Sequence, residues 1–286
     1  MTRLIVNADD FGLTLGVNRA IAELHCAGVL TSATLMARAS ATDDAIALAR
    51  ATPTLGVGCH VVLVDGEPAL AARELPTLVD RRTGRFQPTL VAFLKRLFTG
   101  RIRTEEIEAE AAAQMRVLGD QGLALTHIDT HKHTHLFPAV LRPVLRAARS
   151  NGIEAIRNPF EPEWAVRATP RAGLVRSAEV FALRRLEPYF QRLIAREGFL
   201  TTDGTIAVAG TGVLDEAMVR SLMNRLPAGT WELVTHPGYN DADLAKVRTR
   251  LRASREVEQQ ALHALKEFPA LELTSFAALQ APSRST

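Results

Sequence analysis

The sequence predicts an α/β fold, a distorted (β/α) barrel of the TIM type with seven or eight strands. Short apolar segments alternate with helical patterns along nearly the whole chain, which is typical of parallel strands joined by crossover helices. Polar motifs follow directly after five of these segments. Seven or eight strand-helix units in 286 residues suit a barrel better than an open sheet.

Each predicted strand is a short run of apolar residues that ends at a polar residue, a glycine or a proline. They are 4–6, 32–36, 56–61, 123–129, 154–157, 205–208, 232–235 and, as a possible eighth, 271–274. Helical patterns cover 16–25, 42–50, 104–118, 138–152, 215–226 and, as one long tract, 241–266. We expect Thr104 to cap its helix and Pro138 to take the first position of its own.

A single domain is predicted over residues 1–278, with two insertions and a flexible tail at 279–286. The first insertion, 62–103, is irregular and broken by glycine and proline, and a connection of this length usually serves a function or covers a site. A helical insertion is predicted over 171–198. Four residues of the first insertion have helical spacing and most simply pack inwards, with a lipid-facing flap as the alternative: Phe93, Leu94, Leu97 and Phe98.

Charge and composition exclude several classes of protein. The chain has 34 basic and 31 acidic residues, a shallow balance that gives no support for nucleic-acid binding. Recurrent arginines are predicted to lie on solvated helix faces, with contact to an anionic membrane surface as the alternative: Arg142, Arg146, Arg149, Arg184, Arg185, Arg248, Arg250, Arg252 and Arg255.

Cysteine content and hydropathy predict the compartment. Two cysteines are too few for a disulfide framework, and Cys59 is expected to pack in the core. The N-terminus does not resemble a signal peptide, and no run of eighteen apolar residues occurs. We therefore expect a cytoplasmic protein, with peripheral contact with the inner membrane as an open alternative. The oligomeric state is open, a homodimer included.

Nine residues, His127 to His135, contain four of the eight histidines and an aspartate. In a β-strand the polar side chains at every second position would point to one face. An extended chain of this length would nevertheless span roughly 26 Å, too far for one metal ion. The strand must therefore end near Asp129 or Thr130, with the later histidines in a turn.

A metal site is predicted where several strands end. Asp10, His60 and His131 follow three different strands, and the carboxyl ends of barrel strands converge on one face. Histidine and aspartate suit one Zn²⁺ or a similar divalent ion such as Mg²⁺. Three protein ligands leave positions open for water and substrate, which is typical of catalytic sites. Whether His131, His133 or His135 is the ligand depends on where the strand ends.

Other polar residues at the same strand ends suit acid-base chemistry. Asp9 and Asp10 are adjacent, so one can bind the metal while the other takes a proton from the water that the metal activates. His236, held by a Pro-Gly turn, is a candidate acid for a departing amine. Arg157 would either clamp a substrate oxygen or orient Asp9. Asp129 would either orient a ligand histidine or touch the substrate.

Five motifs together resemble those of the YdjC-like carbohydrate deacetylases, a group that includes chitooligosaccharide deacetylase. They are 7–12 (NADDFG), 31–36 (TSATLM), 58–60 (GCH), 127–133 (HIDTHKH) and 236–238 (HPG). The resemblance implies a distorted (β/α) barrel, a divalent metal and removal of an N-acetyl group from an amino sugar.

Carried over residue by residue, the resemblance makes Asp10, His60 and His131 the metal ligands, Asp9 the base and His236 the acid, although the two aspartates could exchange roles. It leaves His133, Asp129 and Arg157 as substrate-binding or supporting residues.

Residues 57–68 (VGCHVVLVDGEP) resemble the branch of this family associated with hopanoid biosynthesis. That resemblance implies an N-acetylglucosaminyl hopanoid, linked to bacteriohopanetetrol, as the substrate. The alternatives are a deacetylase of soluble chitooligosaccharides, a metal-dependent hydrolase of another bond and a non-catalytic sugar-lipid binding protein.

Overall fold

A computed structural model describes residues 2–169 and 174–280. In this part of the chain the strands are β1 (Thr2–Phe11), β2 (Ser32–Leu35), β3 (Gly56–Val61), β4 (Ile128–Thr130), β5 (Gly204–Ile206), β6 (Gly229–Thr235) and β7 (Glu272–Thr274). All pairs between these strands are parallel, in the order β4-β3-β2-β1-β6-β5. The central strand is β1, which is buried from Leu4 onwards, as expected for a strand covered on both faces.

Single bridges continue the strand ladder around the molecule. Ile128 of β4 pairs with Ile156, and Ala155 pairs with Leu200, from which the chain runs directly into β5. The predicted strand 154–157 is thus reduced to two bridges. The predicted distorted (β/α) barrel is confirmed. The possible eighth strand exists as β7, which pairs with Arg3, Leu4 and Ile5 of β1.

The helices surround the strands as crossover connections and insertions. In the described residues they are α1 (Leu15–Cys26), α2 (Thr42–Ala51), α3 (Leu90–Phe98), α4 (Thr104–Gly119), α5 (Pro138–Ser150), α6 (Glu163–Ala168), α7 (Leu174–Leu183), α8 (Glu187–Glu197), α9 (Glu216–Met223), α10 (Ser254–Ala261) and α11 (Ala277–Gln280). Pro138 is the first residue of α5, as predicted. The side chain of Asp215 caps α9 by accepting a hydrogen bond from the Met218 amide.

Three predicted element boundaries are wrong. The fourth strand starts at Ile128, not at 123, although the Thr126 amide still donates a hydrogen bond to the Val57 carbonyl of β3. Thr104 is inside α4 and forms no cap; Arg103 precedes the helix. The tract 241–266 is broken before α10, where the Thr249 hydroxyl accepts a hydrogen bond from the Leu251 amide.

The insertion after β3 is partly helical. On α3, Phe93 and Leu97 are buried in the core, whereas Leu94 is half-buried. Phe98 is 66% exposed, so its predicted inward packing is wrong. Its ring lies edge-on to that of Phe137, 5.5 Å between centroids, which places the end of α3 beside the histidine-rich turn.

The second insertion contains α7 and α8, and its residues 171–173 lie outside the described part of the chain. Of the predicted tail 279–286, Leu279 belongs to α11 and packs near Phe276. Residues 281–286 lie outside the described part. The single domain over 1–278 stays a prediction.

Candidate metal and acid-base site

A bulge in β1 lets two adjacent aspartates reach the same site. Neighbouring strand residues normally point to opposite faces. The register with β2 shifts between Ala8 and Phe11, and Asp10 has φ +65°. This left-handed conformation is uncommon except for glycine, asparagine and aspartate, and a bulge redirects the side chain. Asp9 and Asp10 are consequently both buried at the carboxyl end of β1.

Asp10, His60 and His131 bring three donor atoms together. His60 Nε2 lies 3.2 Å from His131 Nδ1 and 3.7 Å from Asp10 Oδ1, and His131 Nδ1 lies 3.5 Å from the same oxygen. Ligands about 2.1 Å from a tetrahedral ion are separated by roughly 3.4 Å. The donor set thus fits one divalent ion, and it consists of the three residues that the sequence predicts.

A carboxylate behind His60 orients its ring. His60 Nδ1 lies 2.7 Å from Asp129 Oδ1, so this nitrogen carries a proton and Nε2 faces Asp10 and His131. Burial lowers the pKa of His60, but the charge and hydrogen bond of Asp129, with the charges of Asp9 and Asp10, outweigh burial and raise it to about 9. The surrounding carboxylates therefore favour a positive charge at this position.

The turn after β4 separates the histidines. The strand ends at Thr130, as predicted, and Lys132 and His133 follow with φ of +59° and +50°. The ring of His135 is buried, with Nδ1 2.7 Å from the Thr130 hydroxyl. The turn therefore directs His131 towards Asp10 and His135 towards the strand end.

The two remaining histidines of the motif differ in their surroundings. The ring of His127 is fully buried and stacks on Phe276, 3.8 Å between centroids. A Cβ at Gly58 would lie 2.5 Å from that ring, so His127 packs in the core away from Asp10. His133 is half-buried, and its Nδ1 has no hydrogen-bond partner among the described residues.

Arg157 lies at the centre of a buried charge network. It donates to Asp9 through Nη1 (2.9 Å) and Nη2 (2.7 Å) and to Glu232 through Nε (2.8 Å), and it pairs with Asp129. Its side chain is fully buried and its donors point at carboxylates. Asp129 is also fully buried, between His60 and Arg157.

The charge of Arg157 determines the state of Asp9. Burial raises the pKa of the Asp9 carboxyl, but Arg157 and His60 together outweigh burial and hold the pKa below its usual value. Asp9 is therefore ionised at neutral pH and able to accept a proton.

His236 lies next to Asp9 and is supported by a helix residue. Its Nε2 is 3.8 Å from Asp9 Oδ2, and its Nδ1 is 3.7 Å from Glu258 Oε2, which also accepts from the His236 amide (2.7 Å). Burial lowers the pKa of His236, but Glu258, with Asp9 and Asp10, outweighs burial and raises it. His236 therefore keeps its proton to higher pH than an ordinary histidine.

If His236 acts as an acid, Glu258→Gln will move the alkaline limb of the pH-rate profile to lower pH. Glutamine still accepts from the His236 amide but removes the negative charge, so the pKa of His236 falls and less acid form remains at pH 8. We expect kcat to fall several-fold more at pH 8 than at pH 6, measured over pH 5–9. Glu256→Gln, at an exposed position of α10, is the matched control. An unshifted limb would contradict this role.

Sequence reasoning missed four residues of the site. Arg255 and Glu258 reach it from α10, Thr34 lies 3.2 Å from Asp129 Oδ2, and Glu232 binds Arg157. Arg255 is 1% exposed, so its predicted solvated position is wrong. The Arg-x-x-Glu spacing after the HPG motif was the one available signal, and helical spacing alone does not distinguish a buried face from a solvated one.

The comparison with protein families is decisive. The model of the family described as "YdjC-like protein" matches residues 3–279. The chain belongs to the YdjC-like family. The match includes every residue of the site.

Two curated relatives of this YdjC-like protein are named for deacetylation. A carbohydrate deacetylase of Brevibacillus brevis is 35% identical over 243 residues, 84% of this chain and 82% of the relative. A chitooligosaccharide deacetylase of Klebsiella pneumoniae is 37% identical over 206 residues, 71% of this chain and 76% of the relative.

A solved structure has the same fold. It is a crystal structure from Enterococcus faecalis, described as that of a candidate cellobiose-phosphate cleavage protein, with a TM-score of 0.78 and 24% identity over 97% of this chain and 98% of that one. In the described part of the YdjC-like chain, no helix is both long and apolar enough to cross a bilayer.

Proposed function

We propose that this YdjC-like protein is a metal-dependent hydrolase that removes the N-acetyl group from an N-acetylglucosamine unit. The observation that carries the proposal is one cluster of metal donors with the carboxylate of Asp9 and the imidazole of His236 directly beside it. The names of the two curated relatives support the same reaction class. The bond broken is the amide C–N bond, and the products are acetate and a free amine.

We assign the divalent ion, Zn²⁺ or Mg²⁺, to Asp10, His60 and His131, whose donor atoms have a suitable spacing. When bound, such an ion polarises a carbonyl group and lowers the pKa of water. Asp129 keeps His60 in the tautomer that offers Nε2, through the hydrogen bond to Nδ1.

Asp9 and His236 have complementary roles in the proposed reaction. Asp9 accepts a proton from the attacking water as its oxygen bonds to the acetyl carbon. His236 donates its Nε2 proton to the amide nitrogen as the C–N bond breaks. Arg157 holds Asp9 through two hydrogen bonds and keeps it ionised.

We further propose that the sugar is lipid-linked, as in an N-acetylglucosaminyl hopanoid, and that a cytoplasmic enzyme meets it at the surface of the inner membrane. Exposed side chains of α3 support this proposal. Val91 is 77% and Phe98 66% exposed, and Lys95 lies between them on the exposed face. Apolar and cationic residues on one helix face suit the boundary of an anionic membrane. Phe98 contacts Phe137, next to the histidine-rich turn.

Measurement of acetate release tests both the proposed reaction and the proposed lipid-linked substrate. The substrates are N-acetylglucosaminyl bacteriohopanetetrol in vesicles and a soluble chitooligosaccharide, each with apo protein and with added Zn²⁺ or Mg²⁺. Metal-dependent release from the lipid substrate supports the full proposal. Release from the oligosaccharide alone would retain the reaction but reject the hopanoid, and release from neither would favour another hydrolase or a sugar-lipid binding protein.

We expect the double variant Val91→Asn, Phe98→Asn to lose at least tenfold in kcat/KM on the vesicle substrate, since a buried apolar side chain contributes about 1.5–3 kcal/mol. Activity on the soluble oligosaccharide should change less than twofold. Val257→Asn is the control, because Val257 is exposed on α10 while its neighbours Arg255 and Glu258 face the site. Equal losses on the two substrates would contradict a lipid-facing α3.

A further inference from the structure

Helix α10 carries a buried arginine that the proposed reaction does not use. Arg255 is 1% exposed, and its Nη2 donates a hydrogen bond to Asp10 Oδ2. Its Nε and Nη1 have no hydrogen-bond partner, and Asp10 is its one ion-pair partner, within the described part of the chain. Arg157, by contrast, contacts three carboxylates. Burial of a charge with a single partner is unfavourable, so stability alone does not explain Arg255.

The two oxygens of Asp10 have different partners. Oδ2 is held by Arg255, whereas Oδ1 lies 3.7 Å from His60 Nε2 and 3.5 Å from His131 Nδ1. Rotation of a carboxylate about its Cβ–Cγ bond is otherwise soft, with a broad energy minimum. A fixed Oδ2 therefore fixes the direction in which Oδ1 points.

Close packing of the chain after β6 brings Arg255 to this position. A Cβ at Gly238 would lie 3.1 Å from Arg255 Cδ and 3.0 Å from Val17 Cγ2. Glycine at position 238 therefore allows the turn of the HPG motif to lie directly against the aliphatic part of the Arg255 side chain. From the same helix, Glu258 holds His236.

We propose that Arg255 is a positioning residue for metal binding: it orients Asp10 so that one oxygen joins His60 and His131 as a ligand. This rests on the proposed function only for its effect on catalysis. The positive charge of Arg255 repels a nearby cation and so weakens metal binding, whereas the orientation that Arg255 gives to the Asp10 carboxylate strengthens it. We expect orientation to dominate, as for other residues that hold metal ligands, whose loss typically lowers metal affinity about 10–100-fold.

The test is calorimetric titration of the apo protein with Zn²⁺, for wild type, Arg255→Met, Arg255→Lys and the control Arg252→Met. Arg252 is exposed just before α10, so its loss changes the net charge equally. Methionine should weaken Zn²⁺ binding about 10–100-fold. Arg255→Lys keeps the positive charge but loses the planar guanidinium group, so its Zn²⁺ affinity should lie between those of wild type and Arg255→Met. Arg252→Met should bind as wild type.

Acetate release at saturating Zn²⁺ gives a second readout that separates the two proposals. Wild-type Zn²⁺ affinity in the methionine variant would overturn the role of Arg255, as would absence of divalent-ion binding by the wild-type protein. If the methionine variant does not fold, the lysine variant decides by the same criterion. If no amino-sugar substrate releases acetate but Zn²⁺ binding weakens as expected, the proposed function fails and the role of Arg255 stands.

Discussion

Asp9→Asn is expected to lower kcat for acetate release by about 10²–10⁴-fold, the usual contribution of a general base. Asparagine has nearly the same shape and can still accept a hydrogen bond from Arg157, but it cannot take a proton. Arg157 keeps Asp129 and Glu232 as partners, so the fold should survive. The measurement is kcat and KM at saturating metal on whichever amino-sugar substrate the wild type deacetylates.

Two controls make this result specific. Zn²⁺ affinity of Asp9→Asn should stay near wild type, because Asp10, His60 and His131 are unchanged. Asp43→Asn removes the same charge from the exposed first turn of α2 and should leave kcat unchanged. Activity of Asp9→Asn within tenfold of wild type would exclude Asp9 as the base, and a lost metal site would instead indicate that the two aspartates exchange roles.

Arg157→Met is expected to cost about 3–5 kcal/mol of the free energy of unfolding, because it leaves buried carboxylates without their counter-charge. For a chain of this size we expect Tm to fall on the order of 10 °C. Three acidic groups, Asp9, Asp129 and Glu232, would then face one another in the barrel interior. Urea and thermal unfolding of the apo protein at pH 7 measure the effect.

The destabilisation should depend on pH. Burial raises the pKa of Glu232, and although Arg157 lowers it, the net value is about 7. Without Arg157 the pKa values of the buried carboxyls rise further, so protonation on going from pH 8 to pH 5 relieves their repulsion and the deficit shrinks. Arg146→Met is the control, since the exposed Arg146–Glu108 pair should contribute about 0–1 kcal/mol. If Arg157→Met lowers the free energy of unfolding no more than Arg146→Met does, the stabilising role of the buried charge network is refuted.

The barrel was predictable because local patterns determine it. Strands such as Gly56–Val61 are short apolar runs buried in the core, and every polar motif after a strand points to the face where carboxyl ends meet. The start of the short fourth strand was not predictable in the same way. The fourth strand begins only at Ile128, although the register with β3 leaves Gly56 to Gly58 opposite the preceding residues, and no residue within 123–127 signals that start.

The donors Asp10, His60 and His131 were grouped from sequence because each lies at or just past the carboxyl end of a strand. Arg255 and Glu258 were not, since a helix reaches the site by packing, and its buried face depends on contacts with distant residues. The close approach of Gly238 to Arg255 is one such contact. The bulge at Asp10 was equally hidden, because alternation would have turned Asp9 and Asp10 to opposite faces.

That bulge restricts which amino acids can occupy position 10. The backbone φ of +65° is comfortable for glycine, asparagine and aspartate and costs other residues about 1–3 kcal/mol. Of these three, aspartate alone supplies an anionic oxygen. A saturation library selected for folding should thus retain a small set of residues, and selection for metal retention should reduce it to one. Glutamate keeps a carboxylate but carries both the backbone cost and a longer side chain, so it should retain metal less well than aspartate.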